Sequence, residues 1–325
     1  MQMNVGGLHP ALIDPWDAAH AGGEGVVIAL LEATHGPAYR NAGEAMAIFT
    51  DGRYVGALTS GCIEADLVLQ AQEVRRTGKS RHLRYGAGSP YIDMRLPCGG
   101  AIEVHLLLVR DADVLARLVA MRHAREAVAL HVSAQGRLSL DAYRLTGPQG
   151  EGFSIGFRPP VRFVIFGAGP EASLFASLVR SLGYEHLLVS HEETSLRAAQ
   201  ALGCNVRRLQ RMSELEKLGI DADSATVLFY HDHDHEPTIL KYLLSTPAFY
   251  IGAQGSRATQ ATRLARMYEM GVDEAELARI RGPIGIIPSS RDPRTLAVSV
   301  LAEIIDEANA LRKAQAGVKE VGHPA

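Results

Sequence analysis

The run VRFVIFGAGPEA, residues 161–172, constrains the fold of this chain more than any other stretch. A strand-length apolar segment runs into Gly167-Ala168-Gly169-Pro170-Glu171-Ala172, and a helical pattern follows over 171–182. A strand that ends in a GxGxxA turn and opens a helix is the first unit of a doubly wound parallel sheet. Gly167 permits the tight turn, Gly169 lets an anion approach the backbone, and Ala172 allows close helix–sheet packing. The free amides of the helix start then face a phosphate, and Glu171 stands beside them. Two features favour the competing reading, a turn of this shape with no dinucleotide bound. The next strand ends in Ser190-His191-Glu192 with no Asp at its tip, and Pro170 removes one amide donor.

The rest of the second half repeats the alternation. Strand patterns at 186–190, 226–231 and 249–252 are interleaved with helical patterns at 193–201, 236–245, 258–270 and 293–311. Strands alternating with helices imply a parallel sheet covered on both faces. A second glycine turn, Gly252-Ala253-Gln254-Gly255-Ser256-Arg257, lies between strand FYIG and the helix after it. Ligands of open α/β sheets sit at the carboxyl ends of the strands, so Gly252, Gly255, Ser256 and Arg257 are candidate ligand contacts, Arg257 for a phosphate. An ordinary turn with a surface arginine is the alternative.

The first half is mixed. Residues 25–34 read as a buried strand, and 45–58 as a hairpin with Asp51-Gly52 in a type I′ turn. Residues 63–78 and 111–124 read as helices, 101–109 as a strand and 127–145 as a second hairpin. The stretch LTGPQGEGFSIGFRPP, 145–160, is rich in Gly and Pro without a period. The expected organisation is therefore a small mixed α/β domain over 1–150, a linker at 151–157, a Rossmann-like domain over 158–312 and a frayed tail from 313 to 325.

Three further stretches carry chemistry. His231-Asp232-His233-Asp234-His235-Glu236 follows a strand; it is either a metal-binding run or a polar loop whose side chains cap a helix and face a ligand. Arg281 in RGPIG faces the same crevice or solvent. Cys62, in Thr59-Ser60-Gly61-Cys62-Ile63-Glu64, sits at a predicted helix start, and Cys98 stands in Pro97-Cys98-Gly99-Gly100. A helix N-terminus favours thiolate, a soft ligand or a sulfur carrier, and Ser60, Gly61 and Gly99 leave room for a ligand. Cys204 reads as a small buried hydrophobe.

Composition narrows the function classes. Thirty-three Lys and Arg against 36 Asp and Glu leave a formal charge of -3, which argues against nucleic-acid binding. No apolar run is long enough to span a membrane, and the first residues lack the pattern of a signal peptide. Three scattered cysteines form no disulfide framework, so a reducing cytoplasm is expected.

Taken in order, TSGCIE, RYGAG, PCGGAIEV, VIFGAGPEA, YHDHDHE, YIGAQGSR and RGPIG resemble the XdhC/CoxI family, from about Gly25 to about Ala310. The resemblance implies a maturation factor for molybdenum hydroxylases such as xanthine dehydrogenase. Such a protein binds molybdenum cofactor, a molybdopterin with a phosphate or a dinucleotide. It protects the cofactor while a cysteine desulfurase exchanges an oxo ligand for sulfur, then delivers it to the large subunit of the apo-hydroxylase. It also implies a homodimer and a chaperone with no turnover reaction of its own. By that resemblance Cys62 and Cys98 meet the molybdenum or its sulfur, while His231, Asp232 and Arg281 join the glycine turns in holding the cofactor. The runner-up is an NAD(P)-dependent oxidoreductase using the GAGPEA turn. Against it, the chain shows no Tyr-x-x-x-Lys pair or similar acid–base couple placed for hydride transfer. A third reading is a scaffold that binds a nucleotide only for stability.

Overall fold

The computed structural model describes residues 12–61, 63–89, 96, 99–230, 235–288 and 290–315. The chain divides into two units, Met1–Pro159 and Pro160–Ala325.

Unit 1 begins with α1 (Pro15–Gly22), capped by Asp14, whose carboxylate accepts from the Trp16 and Asp17 amides. There follow β1 (Val27–His35), β2 (Ala45–Ile48), β3 (Tyr54–Val55), α2 (Glu64–Thr77), β4 (Arg81–Gly86) and β5 (Ala101–Leu108). Next come α3 (Ala112–His123), β6 (Val128–Val132), β7 (Leu138–Ala142), β8 (Gly147–Gln149) and β9 (Gly152–Phe157). One antiparallel sheet has the order β3-β2-β1-β5-β4, a second the order β7-β6-β9-β8. Residues 27–31 of β1 form an unbroken apolar run because both faces are covered there. Val27, Ala29 and Leu31 pack with Leu67, Ala71 and Val74 of α2. Ile28 and Leu30 pack with Trp16, Leu115, Leu118 and the β6 residues Val128 and Leu130. The α2 contacts fall at i, i+4 and i+7, and burial of Leu67 and Val74 stabilises the fold by about 1.5–3 kcal/mol each. Gly78 ends α2 at φ 67°, with its amide bonded to the Val74 carbonyl.

Two expectations for this half are corrected. The β2–β3 connection is not a type I′ turn. Gly52 has φ 83° while Asp51 does not take a positive φ, and the Gly52 amide bonds the Phe49 carbonyl. That is a type I turn followed by a left-handed glycine, the next most common hairpin solution. Residues 151–157 are not a linker either. Gly152–Phe157 pairs antiparallel with β6, Phe153 and Ile155 are buried, and the division falls at Pro159–Pro160.

Unit 2 runs β10 (Arg162–Gly167), α4 (Pro170–Ser181), β11 (Glu185–Ser190), α5 (Glu193–Ala201), β12 (Val206–Arg208) and a 3-10 turn at Met212–Leu218. It continues with β13 (Ser224–Phe229), α6 (Glu236–Leu244), β14 (Tyr250–Ala253), α7 (Arg257–Glu269), α8 (Glu274–Leu277), β15 (Ile280–Arg281) and α9 (Pro293–Gln315). The six strands are ordered β12-β11-β10-β13-β14-β15, and every neighbouring pair is parallel. Alternate residues of the central strands again serve opposite layers. Phe163 and Ile165 pack with Phe175, Val179, Val300 and Ile304 on one face. Val164 and Phe166 pack with Leu228, Leu240, Leu243 and Met267 on the other. Chain order reverses between β10 and β13, and that reversal is the switch point where such sheets take ligands. α9 continues past the expected stop at 311 to Gln315. Among the described residues no helix is long and apolar enough to cross a membrane.

Candidate functional site

The GAGPEA turn is built as its sequence predicts, but its anion cradle is filled by the chain itself. A side chain at Gly167 would lie 2.6 Å from the Phe229 carbonyl oxygen, so glycine is required there by packing against β13. Gly169 has φ 89° and is the N-cap of α4. Its amide donates to Ser195 Oγ at 2.8 Å. Ser195 in turn donates to Glu192, the N-cap of α5. The hydrogen bond from Ser195, with the Gly169 amide behind it, holds the Glu192 carboxyl below the usual range. With Pro170 contributing no donor, the amide a pyrophosphate would use is occupied, and a carboxylate stands in front of it.

The second glycine turn has the opposite character. β14 delivers Gln254, Gly255 and Ser256 to the start of α7, where Ser256 Oγ caps the helix by accepting from the Thr259 amide at 3.1 Å. A cavity of about 920 Å³ opens here. It is lined by Gln254, Gly255, Ser256 and Arg257, by Pro283, Ile284 and the following apolar residues, and by Ser290 and Arg291. Among the described residues, none that lines it is acidic. The two exposed arginines and the positive end of α7 select an anionic group. Ile286 and Ile287 add apolar surface, at 63% and 43% exposure. One buried polar atom is unsatisfied: Gln254 Oε1 has no hydrogen-bond partner. A buried amide oxygen without a donor is costly, about 1–3 kcal/mol.

The walls of the cavity are pinned from behind. Gly285 has φ 98°, its amide donates to Glu303, and a side chain there would meet Ser299 Oγ at 2.5 Å. Ser299 Oγ accepts from the Ile287 amide at 2.7 Å. Tyr250 donates to the other Glu303 oxygen at 2.9 Å, and burial pushes its phenol far above the usual range. Arg263 of α7 is buried against Glu236, the first residue of α6, and also donates to Gln260 Oε1 and the Gln254 carbonyl. One arginine therefore ties the β13–α6 connection to the β14–α7 turn.

The sequence-derived candidates sort as follows. Gly255, Ser256 and Arg257 line the cavity, and Gly252 lies under it, where a side chain would meet Ile284 at 2.8 Å. Arg281 does not line it; it pairs with Glu307 at 2.8 Å on the surface. Arg291 and Ser290 line the cavity without any sequence signal, because they lie in an irregular segment whose chemistry shows no spacing, while Gln254 stands inside the second glycine turn, where its residue type carries no signal of its own. Gly167, Gly169 and Glu171 belong to the occupied turn. His231 and Asp232 lie outside the described residues. Beside that segment, His191 stacks on Tyr230 with centroids 5.6 Å apart and meets the His235 ring at 4.7 Å with the planes tilted by 57°.

In unit 1, Cys62 and Cys98 lie outside the described residues, while their surroundings are defined. Glu64 is buried and gathers the preceding loop. Its carboxylate accepts from the Thr59 amide at 2.8 Å, from Thr59 Oγ1 at 2.8 and 3.0 Å, and from the Ile63 amide at 3.2 Å. Gly61 takes φ 104° with open space where a side chain would stand, and Ser60 is exposed. Gly99, at φ 72°, donates its amide to the Leu96 carbonyl. Cys204 is buried, and desolvation pushes its thiol up, as a core residue requires.

Comparison with known proteins agrees with the two-unit architecture. Residues 163–304 match the XdhC Rossmann domain, and residues 19–86 match the XdhC and CoxI family. The chain is 36% identical over 284 residues to the molybdenum cofactor insertion chaperone PaoD of Escherichia coli, covering 87% of this chain and 83% of that protein. It is 25% identical over 340 residues to a probable xanthine dehydrogenase component of Bacillus subtilis, covering 93% and 97% of the two. The crystal structure of a xanthine dehydrogenase from Bacillus halodurans superposes with a TM-score of 0.74 at 21% identity, over 96% of this chain and 98% of that one, and shares its fold. The matching segments in both units and the similarity across most of the chain place this protein in the XdhC/CoxI family.

Proposed function

We propose that this protein binds molybdenum cofactor in the cytoplasm, shields it during sulfuration and hands it to the apo form of a molybdenum hydroxylase. Similarity to an insertion chaperone supports the class of function. The cavity beside α7 carries the reading to residues. Its arginines and helix end suit a phosphate, its isoleucines and prolines suit a flat ring system, and the unsatisfied Gln254 Oε1 suits a ring N–H. A pterin phosphate has all three features. We assign Arg257, Arg291 and the Ser256 end of α7 to the anionic group, and Gln254 to the pterin. Each charge-assisted contact is worth about 1.5–3 kcal/mol, and the helix end adds about 0.3–1 kcal/mol. Cys62 and Cys98 are proposed from the sequence alone as thiols for the molybdenum or its sulfur. The partners this role requires are a cysteine desulfurase and the large chain of the hydroxylase, and a homodimer is the expected assembly.

The GAGPEA turn does not favour an NAD(P)-dependent oxidoreductase, since Ser195 and Glu192 occupy its amide. The test is reconstitution of an apo-hydroxylase with cofactor in the presence of this protein, beside a fluorescence titration with NADH. Activation that falls in Cys62→Ser and Cys98→Ser, with no NADH bound, is expected. Tight NADH binding with substrate-linked oxidation overturns the proposal.

A further inference from the structure

We propose that Glu32, His82 and His105 form a binding site for a divalent transition metal on the first sheet of unit 1. The site is formed by residues of unit 1 alone and does not depend on the cofactor reading.

The three residues come from three adjacent strands, β1, β5 and β4. His82 and His105 are direct partners across the antiparallel β4–β5 pair, so both side chains leave the same face. Their rings stack with centroids 4.0 Å apart and planes 22° from parallel. Glu32 reaches them through an irregularity. The β1–β5 register shifts between Leu31 and Ala33, so Glu32 is the extra residue of a bulge. Bulges re-aim side chains and are common beside functional sites. The Glu32 carboxylate lies 3.3 Å from His82 Nδ1 and 3.0 Å from His105 Nδ1. Each residue offers a ligand atom, and these atoms all lie within 4.8 Å of one another.

The distances suit an ion. Bonds of about 2.0–2.1 Å in a tetrahedral site put neighbouring ligand atoms about 3.3 Å apart. Two imidazole nitrogens and one carboxylate oxygen form a donor set for zinc and its neighbours, and they leave a fourth position open. Burial supplies both rigidity and access: the side chain of His105 is wholly buried, Glu32 is 19% exposed and His82 is 54% exposed. An ion entering past His82 would fasten three strands. The support behind the ligands is incomplete, because His105 Nε2 has no hydrogen-bond partner. Loss of such a partner lowers metal affinity by about 10–100-fold, so the ion is expected to bind exchangeably, with micromolar affinity.

The test is titration of tag-free protein with Zn²⁺ by calorimetry and with Co²⁺ by visible absorption. Uptake of one ion is expected, with a tetrahedral Co²⁺ spectrum that lacks thiolate charge-transfer bands. His82→Ala and Glu32→Gln should each weaken binding at least about tenfold, on the scale of losing one ligand or its support. Both positions are solvent-accessible, so far-UV circular dichroism should show folded variants, whereas His105→Ala enters the core. His123→Ala, at an exposed histidine outside the cluster, should leave binding unchanged. No uptake at millimolar metal overturns the site. So does uptake that survives both substitutions or shows thiolate bands, since the ion then sits on the His231–His235 run or on the cysteines.

Discussion

Glu236→Ala tests whether the cavity is held in shape by the buried pair behind it. The Glu236 and Arg263 side chains are only 4% and 3% exposed. Arg263 gives Glu236 two contacts and uses its remaining donors on Gln260 and the Gln254 carbonyl. Removing the carboxylate leaves a guanidinium buried with neutral acceptors only. Breaking such a pair costs about 3–5 kcal/mol, a large share of a total stability of about 5–15 kcal/mol. For a unit of this size about 2–4 °C of Tm accompany each kcal/mol, so the unfolding midpoint should fall by about 6–20 °C. Urea and thermal unfolding followed by circular dichroism give the number. The double variant Glu236→Leu with Arg263→Met removes both charges at similar volume and should cost less than Glu236→Ala alone. A loss below about 1 kcal/mol in the single variant, or a double variant worse than either single one, would refute the reasoning.

Four shorter predictions follow from other contacts. Gly285→Ala forces a side chain onto Ser299 at a backbone angle suited to glycine, and should destabilise by at least about 1 kcal/mol in urea unfolding. Glu64→Ala removes the buried carboxylate to which the Thr59 amide and hydroxyl and the Ile63 amide donate, and should cost about 1–3 kcal/mol, with faster proteolysis of the loop before α2. Ser195→Ala removes the hydroxyl that accepts from the Gly169 amide but leaves the Glu192 carboxylate in front of it, so NADH binding should stay absent in a fluorescence titration and cofactor retention should be unchanged. Glu192 has a folded pKa below its ordinary 4.5, so its stabilising effect is present above that value and is lost as pH falls through the lower folded pKa. Glu192→Gln should remove that part of the acid-side slope, measured by unfolding midpoints between neutral pH and pH about 3.

The layered architecture was legible because burial on both faces leaves a trace. Residues 27–31 of β1 and 163–166 of β10 are continuous apolar runs, β13 is buried along its length, and the glycine turns follow β10 and β14 where helices begin. β8, β9 and β15 were not legible. They are short or contain Gly and Pro, and β9 and β15 draw their pairing from β6 and β14, well back along the chain. The site was half legible. Ser256 and Arg257 stand at a helix start, a position that sequence marks. Arg291 gains its role only from the path of the β15–α9 connection, and no local pattern signals that path. The occupation of the GAGPEA turn was also hidden, because it depends on Ser195 and Glu192 arriving from the next strand–helix connection. The Glu32 bulge is invisible for the same reason: register is a property of two strands.

The most direct measurement is anaerobic mixing of the purified protein with molybdenum cofactor, then gel filtration and metal analysis of the protein peak, in parallel with Arg257→Ala/Arg291→Ala. Both arginines are exposed, so the variant should fold. Stoichiometric molybdenum on the wild-type peak is expected, reduced about tenfold or more in the double variant and more readily released by salt. Molybdenum absent from the wild-type peak, or retained equally by the double variant, would contradict the assignment of the cofactor to this cavity.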